Sequence, residues 1–239
     1  MSYGTERIMT PAISAIVPIH NEARVLSRVL DAIDAQTVSP DELILVFDRC
    51  TDASEKVAGG RYSKSIRVNL GSAAGAVRIG IDLAAHEWIV LFDGNTWVPI
   101  DFIEKLAQTQ ATQSADVIEW HGGLMLIPRS TFDKFGPFSD ITLWTLEYFL
   151  RVKDLGGRVV KMNGPFTRLR PSPLSANFRY GLDYAELSSR HDLHPFFQVG
   201  TKSGWVQDIV ATLGVALGHL RRRKLVSAIG QTLRMIVES

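Results

Sequence analysis

Ile13-Ser14-Ala15-Ile16-Val17-Pro18-Ile19-His20-Asn21-Glu22-Ala23-Arg24-Val25-Leu26-Ser27-Arg28-Val29-Leu30-Asp31-Ala32-Ile33-Asp34-Ala35 decides the architecture of this 239-residue chain. Ile13 to Ile19 is apolar and rich in β-branched residues, which reads as a strand. Val25, Leu26, Val29, Leu30 and Ile33 then recur at helical spacing, so a helix is expected over 23–35. The same rhythm returns downstream. Glu42 to Phe47 leads into a polar turn and helix, Ser65 to Asn69 into a helix over 73–85, and Trp88 to Phe92 into a helix from Asp101. Strands that are apolar throughout, alternating with helices, predict a parallel sheet covered on both faces.

The rhythm changes after Asp116. Val117 to Trp120 and Leu124 to Ile127 read as short strands split by His121-Gly122-Gly123, so the sheet becomes mixed there. Helices are expected over 129–135 and 143–155, the second closed by Gly156-Gly157. A strand over 158–162 and an irregular stretch over 163–175 follow. From Ser203 onward the pattern is helical again, with two apolar stretches separated by Arg221-Arg222-Arg223-Lys224. The division expected is one α/β domain over 1–190 and a helical extension over 191–239.

Composition narrows the function. Lys plus Arg number 26 against 25 Asp plus Glu, a net charge of +1, which removes the bulk electrostatic case for a nucleic-acid partner. The lone Cys50 rules out an internal disulfide and a cysteine zinc cluster, in keeping with a reducing compartment. Neither a secretory leader nor an apolar run of about 18 residues is present, so a cytoplasmic location is expected. A Gly-X-Gly-X-X-Gly turn and a phosphate-loop Gly-Lys-Ser/Thr are both lacking, which argues against dinucleotide oxidoreductases and nucleotide enzymes of that kind.

In an open parallel sheet, ligands bind beyond the carboxyl ends of the strands. Those ends here carry Pro18-Ile19-His20-Asn21-Glu22, Phe47-Asp48-Arg49-Cys50-Thr51-Asp52 and Phe92-Asp93-Gly94-Asn95. Asp48, Thr51 and Asp52 also suit turns and helix caps, Asp52 most of all. The opening strand and loop, 13–22, resemble glycosyltransferase family 2. Leu45 to Asp52 resembles that family's strand and acidic turn, Gly71 to Gly80 its glycine-rich helix start, Trp88 to Asn95 its strand ending in Asp-X-Asp, and Gly123 to Phe138 its acceptor-side hairpin and following helix. The resemblance covers roughly residues 12–190 and rests on the order of the motifs.

The resemblance implies a GT-A fold and an inverting transfer of a sugar from a nucleoside diphosphate, UDP or GDP, to a hydroxyl acceptor. A lipid-linked or cell-surface glycan is the acceptor it implies. Pro18, His20, Asn21, Glu22, Asp48, Arg78, Asp93, Gly94 and Asn95 then line the nucleotide-sugar site. Asp48 accepts from the base, and Asp93 with Asn95 holds a divalent cation, Mg²⁺ or Mn²⁺. Such a reaction needs cationic stabilisation of the leaving diphosphate and a carboxylate to deprotonate the acceptor.

Two departures stand out. Asn95 occupies the place of a second aspartate and is a weaker ligand than a carboxylate. Trp144 and Thr145 occupy the place of the acidic pair that usually supplies the base. Glu147, on the same helical face as Trp144, and Asp140, on the preceding loop, are the candidates that remain. An intrahelical pair with Arg151 is the structural alternative for Glu147. A catalytically impaired relative that binds nucleotide sugar or a partner is accordingly the alternative function. Arg78, Arg168, Arg170 and Arg179 are guanidinium candidates for phosphate, each more often a solvated charge. His191 and His194 are more often solvent-facing or capping than metal ligands. The C-terminal apolar stretches with their basic cluster suit the cytoplasmic face of an anionic membrane, or packing on the catalytic domain or on a second subunit of a homo-oligomer.

Overall fold

A computed structural model describes residues 11–171, 174–191 and 214–217. Contacts divide the chain into two compact units, Met1–Phe138 with Arg151–Leu169, and Ser139–Leu150 with Arg170–Ser239. The sequence pattern predicts a division near residue 190. Expectations for 203–239 lie outside the described residues, apart from a short helical stretch over 214–217.

The first unit is a mixed sheet flanked by helices. Its strands are β1 (Ile13–Ile19), β2 (Glu42–Asp48), β3 (Lys64–Val68), β4 (Trp88–Leu91), β6 (Val117–His121), β7 (Leu124–Pro128) and β8 (Val159–Lys161), in the order β3-β2-β1-β4-β7-β6-β8. β1 pairs in parallel with β2 and β4, and β2 pairs in parallel with β3. β7 runs antiparallel to both β4 and β6, while β8 returns parallel to β6. The alternation of strand and helix therefore made the parallel half, and the Gly122-Gly123 turn made the antiparallel insertion. A separate two-stranded ribbon joins β5 (Thr96–Trp97) to β9 (Thr167–Arg168).

The inner strands β1, β2 and β4 bury both faces, as their continuous apolar sequences require, whereas the edge strand β3 stays largely exposed. Ile13, Ala15, Val17 and Ile19 of β1 join one core cluster with Leu26, Val29, Leu30 and Ile33 of α1 (Leu26–Asp34). The opposite face meets α3 (Ala73–Leu83), where a Cβ on Gly80 would lie only 2.4 Å from Ile16 Cγ2. Only a glycine lets that helix approach so closely. Phe102, at the start of α4 (Phe102–Gln113), packs edge-on against Phe92 and Trp120 at 5.1 and 5.2 Å. This knot fixes the end of β4. α2 (Ser54–Ala58) and α5 (Ser130–Phe135) complete the unit.

Helix α6 (Trp144–Asp154) contributes to both units. At its C-terminal end Arg151 donates to the Phe135 carbonyl and, at 2.8 Å, to that of Pro137. In the second unit, Asp183 of α7 (Leu174–His191) accepts the N–H groups of Thr142 and Leu143 at 2.6 and 3.2 Å. Tyr184, Ala185 and Val215 form a small apolar cluster there with Leu143 and Leu146. Sequence reading assigned no helix to 174–191.

At the amino-terminal edge of the sheet a buried carboxylate ties four segments together. Glu42 accepts from Ser14 Oγ at 2.7 Å and from Ala85 N at 2.9 Å, and pairs with Lys64 Nζ at 2.5 Å. Burial by itself would raise its pKa, but Lys64, Ala85 and Ser14 together outweigh that and hold it below the usual carboxylate value. A lowered folded-state pKa gives stability that is complete above the unfolded value and lost as pH falls through the folded one. Glu42→Gln should therefore lower unfolding free energy by about 2 kcal/mol at pH 7, discounted for the partly exposed Lys64, and by much less in acid. Urea denaturation at the two pH values checks this, and a loss independent of pH would contradict it.

Candidate functional site

The loops at the carboxyl ends of β1, β2 and β4 all belong to the first unit and are hydrogen-bonded to one another. His20 Nδ1 lies 2.7 Å from the Asp48 carbonyl, so that nitrogen carries the proton and donates. Asn21 sits at φ 56, a region asparagine tolerates better than most residues. Its Oδ1 accepts the N–H groups of Thr51 and Asp52 at 2.8 and 3.3 Å. Asp52 accepts Ala23 N at 3.0 Å and Ser54 N at 2.9 Å. Its carboxylate is thus engaged as a turn brace, and hydrogen bonds from Ser54 and Ala23 lower its pKa against the opposing effect of burial.

Glu22, 4 % exposed, reaches across to the β4 loop, where Asn95 Nδ2 donates to its Oε1 at 3.4 Å. Between them lies Gly94. A Cβ there would stand 2.8 Å from the Pro18 carbonyl oxygen. Pro18 and Gly94 therefore bring the backbones of the first and third loops into direct contact. Asp93 Oδ1 accepts Asn95 N and its Oδ2 accepts Thr96 Oγ1, both at 3.3 Å. The strap 162–169 closes this loop from outside. Leu169 N donates to the Asn95 carbonyl at 2.7 Å, next to the β5–β9 ribbon. His121 stacks on Phe166 at 3.9 Å, and Trp120 Nε1 donates to the Pro165 carbonyl at 3.0 Å.

Asp48, 6 % exposed, makes more bonds than its sequence suggested. Its Oδ1 accepts Leu70 N and Gly71 N at 2.7 and 3.0 Å, and its Oδ2 accepts Ser72 N at 3.0 Å. Ser72 Oγ in turn accepts Gly75 N at 3.0 Å and caps α3. One carboxylate thus shapes the whole β3–α3 loop. Beside it Arg49 holds the left-handed φ of 50, a conformation costing a non-glycine residue about 1 kcal/mol or more. Sequence reading gave Arg49 no role, although an arginine inside an acidic turn is itself a signal.

Of the other expected residues, Arg78 lies on α3 and donates through Nη1 to the Phe138 carbonyl at 2.8 Å. Asp140 and Glu147 fall in the second unit. Asp140 is exposed, whereas Glu147 is half-buried, with its N–H on the Leu143 carbonyl at 3.0 Å. Arg168 is half of the ribbon, paired with Thr96. Arg179 and His191 lie on α7, and His194 lies outside the described residues.

A parallel β3-β2-β1-β4 half continued by an antiparallel insertion, with acidic loops gathered at the β1 end, defines the GT-A class of nucleotide-sugar glycosyltransferase folds. Residues 14–119 match the model of Glycosyl transferase family 2. Glycosyltransferase GlyG of Streptococcus pneumoniae serotype 4 is 34% identical over 116 residues, 46% of this chain. The match spans only 38% of that relative's length. Among solved structures, the mannosyltransferase PcManGT from Pyrobaculum calidifontis, in complex with GDP-Man and Mn²⁺, has a TM-score of 0.70 and 15% identity. That likeness covers 97% of this chain and 76% of the other. Glucosyl-3-phosphoglycerate synthase from Mycobacterium tuberculosis, in complex with Mg²⁺ and UDP, has a TM-score of 0.65 at 16% identity, covering 77% of this chain and 80% of its own. At these identities the structures establish the fold.

Asp48→Asn tests the loop. It turns one acceptor oxygen into a donor facing an N–H, so unfolding free energy should fall by about 1–3 kcal/mol. Amide hydrogen exchange should quicken at Leu70, Gly71 and Ser72 ahead of the rest of α3. Unchanged protection at those three amides would show that the carboxylate does not hold the loop.

Proposed function

We propose that the protein transfers a sugar from a nucleoside diphosphate to a hydroxyl acceptor, with inversion at the anomeric carbon. The observation that carries this reading is the joined rim: His20 bonded to Asp48, Asn95 bonded to Glu22, and Gly94 against Pro18 make one continuous floor from three strand ends. A nucleotide with an attached sugar is long enough to need all three. In this reading Asp48 and its loop meet the base side, Asp93 and Asn95 the diphosphate side, and Arg78 supplies a further cation near α3.

The rim's donor set suits a loosely held divalent ion. Asp93 offers one carboxylate and Asn95 one amide oxygen, and no cluster of three acidic, histidine or cysteine side chains occurs among the described residues. Mg²⁺ and Mn²⁺ are commonly bound through one or two protein oxygens plus substrate phosphates. Asp93 and Asn95 would hold such an ion, which would neutralise charge on the departing diphosphate. The acceptor hydroxyl loses its proton to a carboxylate, its oxygen bonds to the anomeric carbon, and the bond from that carbon to the diphosphate oxygen breaks. Glu147 is the base in this proposal, with Asp140 its substitute. Other proposals rest on the same reading: a lipid-linked or cell-surface glycan as acceptor, a role in polysaccharide assembly, and a cytoplasmic, membrane-peripheral setting. No helix among the described residues is long and apolar enough to cross a membrane.

A second reading has its own observation. Trp144 and Thr145 begin α6 where acidic residues would place the base, and this favours a nucleotide-sugar-binding relative without turnover.

Thermal shift with UDP, GDP and their sugars, with and without Mn²⁺, tests the first reading. At a hundredfold excess over Kd a ligand adds about 2.7 kcal/mol, several degrees of shift. Absence of a shift with every nucleotide would refute both readings. Where a donor is found, Glu147→Gln should cut transfer about 10²- to 10⁴-fold with the shift retained. Undiminished transfer would pass the role to Asp140, and wild-type binding without hydrolysis or transfer would favour the binding protein.

A further inference from the structure

Arg49 combines three features that its place in the turn does not require. Its backbone is left-handed, at φ 50, where glycine would sit without strain. Its guanidinium lies over Gly71: a Cβ on that glycine would stand 2.3 Å from Arg49 Cζ, 2.4 Å from Nη2 and 2.5 Å from Nη1. The near-equal distances, with the central carbon nearest, put the guanidinium plane roughly face-on to the Gly71 backbone. Finally, the residue is exposed, and its guanidinium makes no ion pair or hydrogen bond among the described residues.

A strained backbone is retained where the surroundings or the function require it. Here the surroundings hold the arginine flat without pairing its charge. One face covers Gly71, whose N–H is already on Asp48, and the exposed residue leaves the other face to solvent. A planar cation with one face shielded and the other open matches a flat aromatic ring better than a tetrahedral phosphate, which takes guanidinium edges in bidentate fashion.

We propose that Arg49 is a nucleobase-recognition residue, stacking the outer face of its guanidinium on the base of the nucleoside diphosphate. This rests on the nucleotide-sugar reading above and adds to it a residue for which glycine would be the unstrained choice. The strain then has a use, since glycine would relax the turn but leave the base without its platform. Gly71 becomes part of the same device, because any side chain there would displace the guanidinium.

The experiment measures melting temperature without ligand, and Kd by calorimetry for UDP, GDP and inorganic pyrophosphate in Mn²⁺, on wild type, Arg49→Gly and Arg49→Lys. Arg49→Gly should melt no lower than wild type. It should bind the preferred nucleoside diphosphate roughly tenfold more weakly, with pyrophosphate affinity unchanged. Arg49→Lys keeps the charge but not the plane and should lose nucleotide affinity to a similar degree. Wild-type nucleotide affinity in Arg49→Gly would overturn the proposal, and a lower melting temperature alongside it would reduce the guanidinium to a cover for Gly71. An equal loss for pyrophosphate, or full rescue by lysine, would reassign Arg49 to phosphate and equally overturn base stacking. A wild type that binds pyrophosphate but neither nucleotide would overturn the nucleotide-sugar reading itself, and this proposal with it.

Discussion

The carboxylate of Asp48 is the group around which the rest of the rim is organised. It lies at the end of a strand buried on both faces, where an anion is expensive unless hydrogen-bonded. Three consecutive amides, from Leu70 to Ser72, meet that need. To present three N–H groups to one carboxylate the chain must curl, and Gly71 with φ 67 permits the curl. The curl then leaves Ser72 positioned to cap α3, and α3 lies close on β1 through Gly80. The direction of the helix, the shape of the loop and the resting place of Arg49 all follow from satisfying one buried charge.

Much of this architecture was legible in the residues. The continuous apolar strands announced a parallel sheet, and the change of rhythm after Asp116 announced the mixed part, because burial on two faces and the spacing of a helix leave different patterns. The residues at the strand ends were legible as a set, since the topology of such a sheet gathers them at one edge. Their partners were less so. Asp48 read as a turn residue or as an acceptor for the base, whereas its donors in the structure are backbone amides, which leave no trace in side-chain identity. The β5–β9 ribbon was missed for a related reason. Two residues per strand carry no periodicity, and their pairing is decided by the neighbours Trp120 and His121, distant in sequence.

The chemistry divides along the same line as the fold. Residues proposed to hold the donor are on the first unit, fixed to rigid strands, whereas both candidates for the base are on the second. The two sets of residues therefore sit in different settings. The proposed donor residues have interlocking bonds within one sheet edge, and the two base candidates have local environments of their own, an exposed loop for Asp140 and a half-buried helix for Glu147. The family model covers residues 14–119, which include the loops after β1, β2 and β4 and end before Asp140 and Glu147.

The strap over 162–169 has a consequence for how the molecule is made. Gly164 lies beneath the Trp120 indole, where even a methyl group would collide with the ring, and Leu169 supplies the bond that closes onto Asn95. These contacts join the middle of the chain to a stretch synthesised much later. On the ribosome, strands β1 to β4 can assemble as they emerge, but the Asp93–Asn95 turn waits for residues beyond β8 before its outer wall exists. A nascent chain therefore acquires its sheet well before the Asp93–Asn95 turn is complete, which separates the birth of the sheet from the completion of its rim.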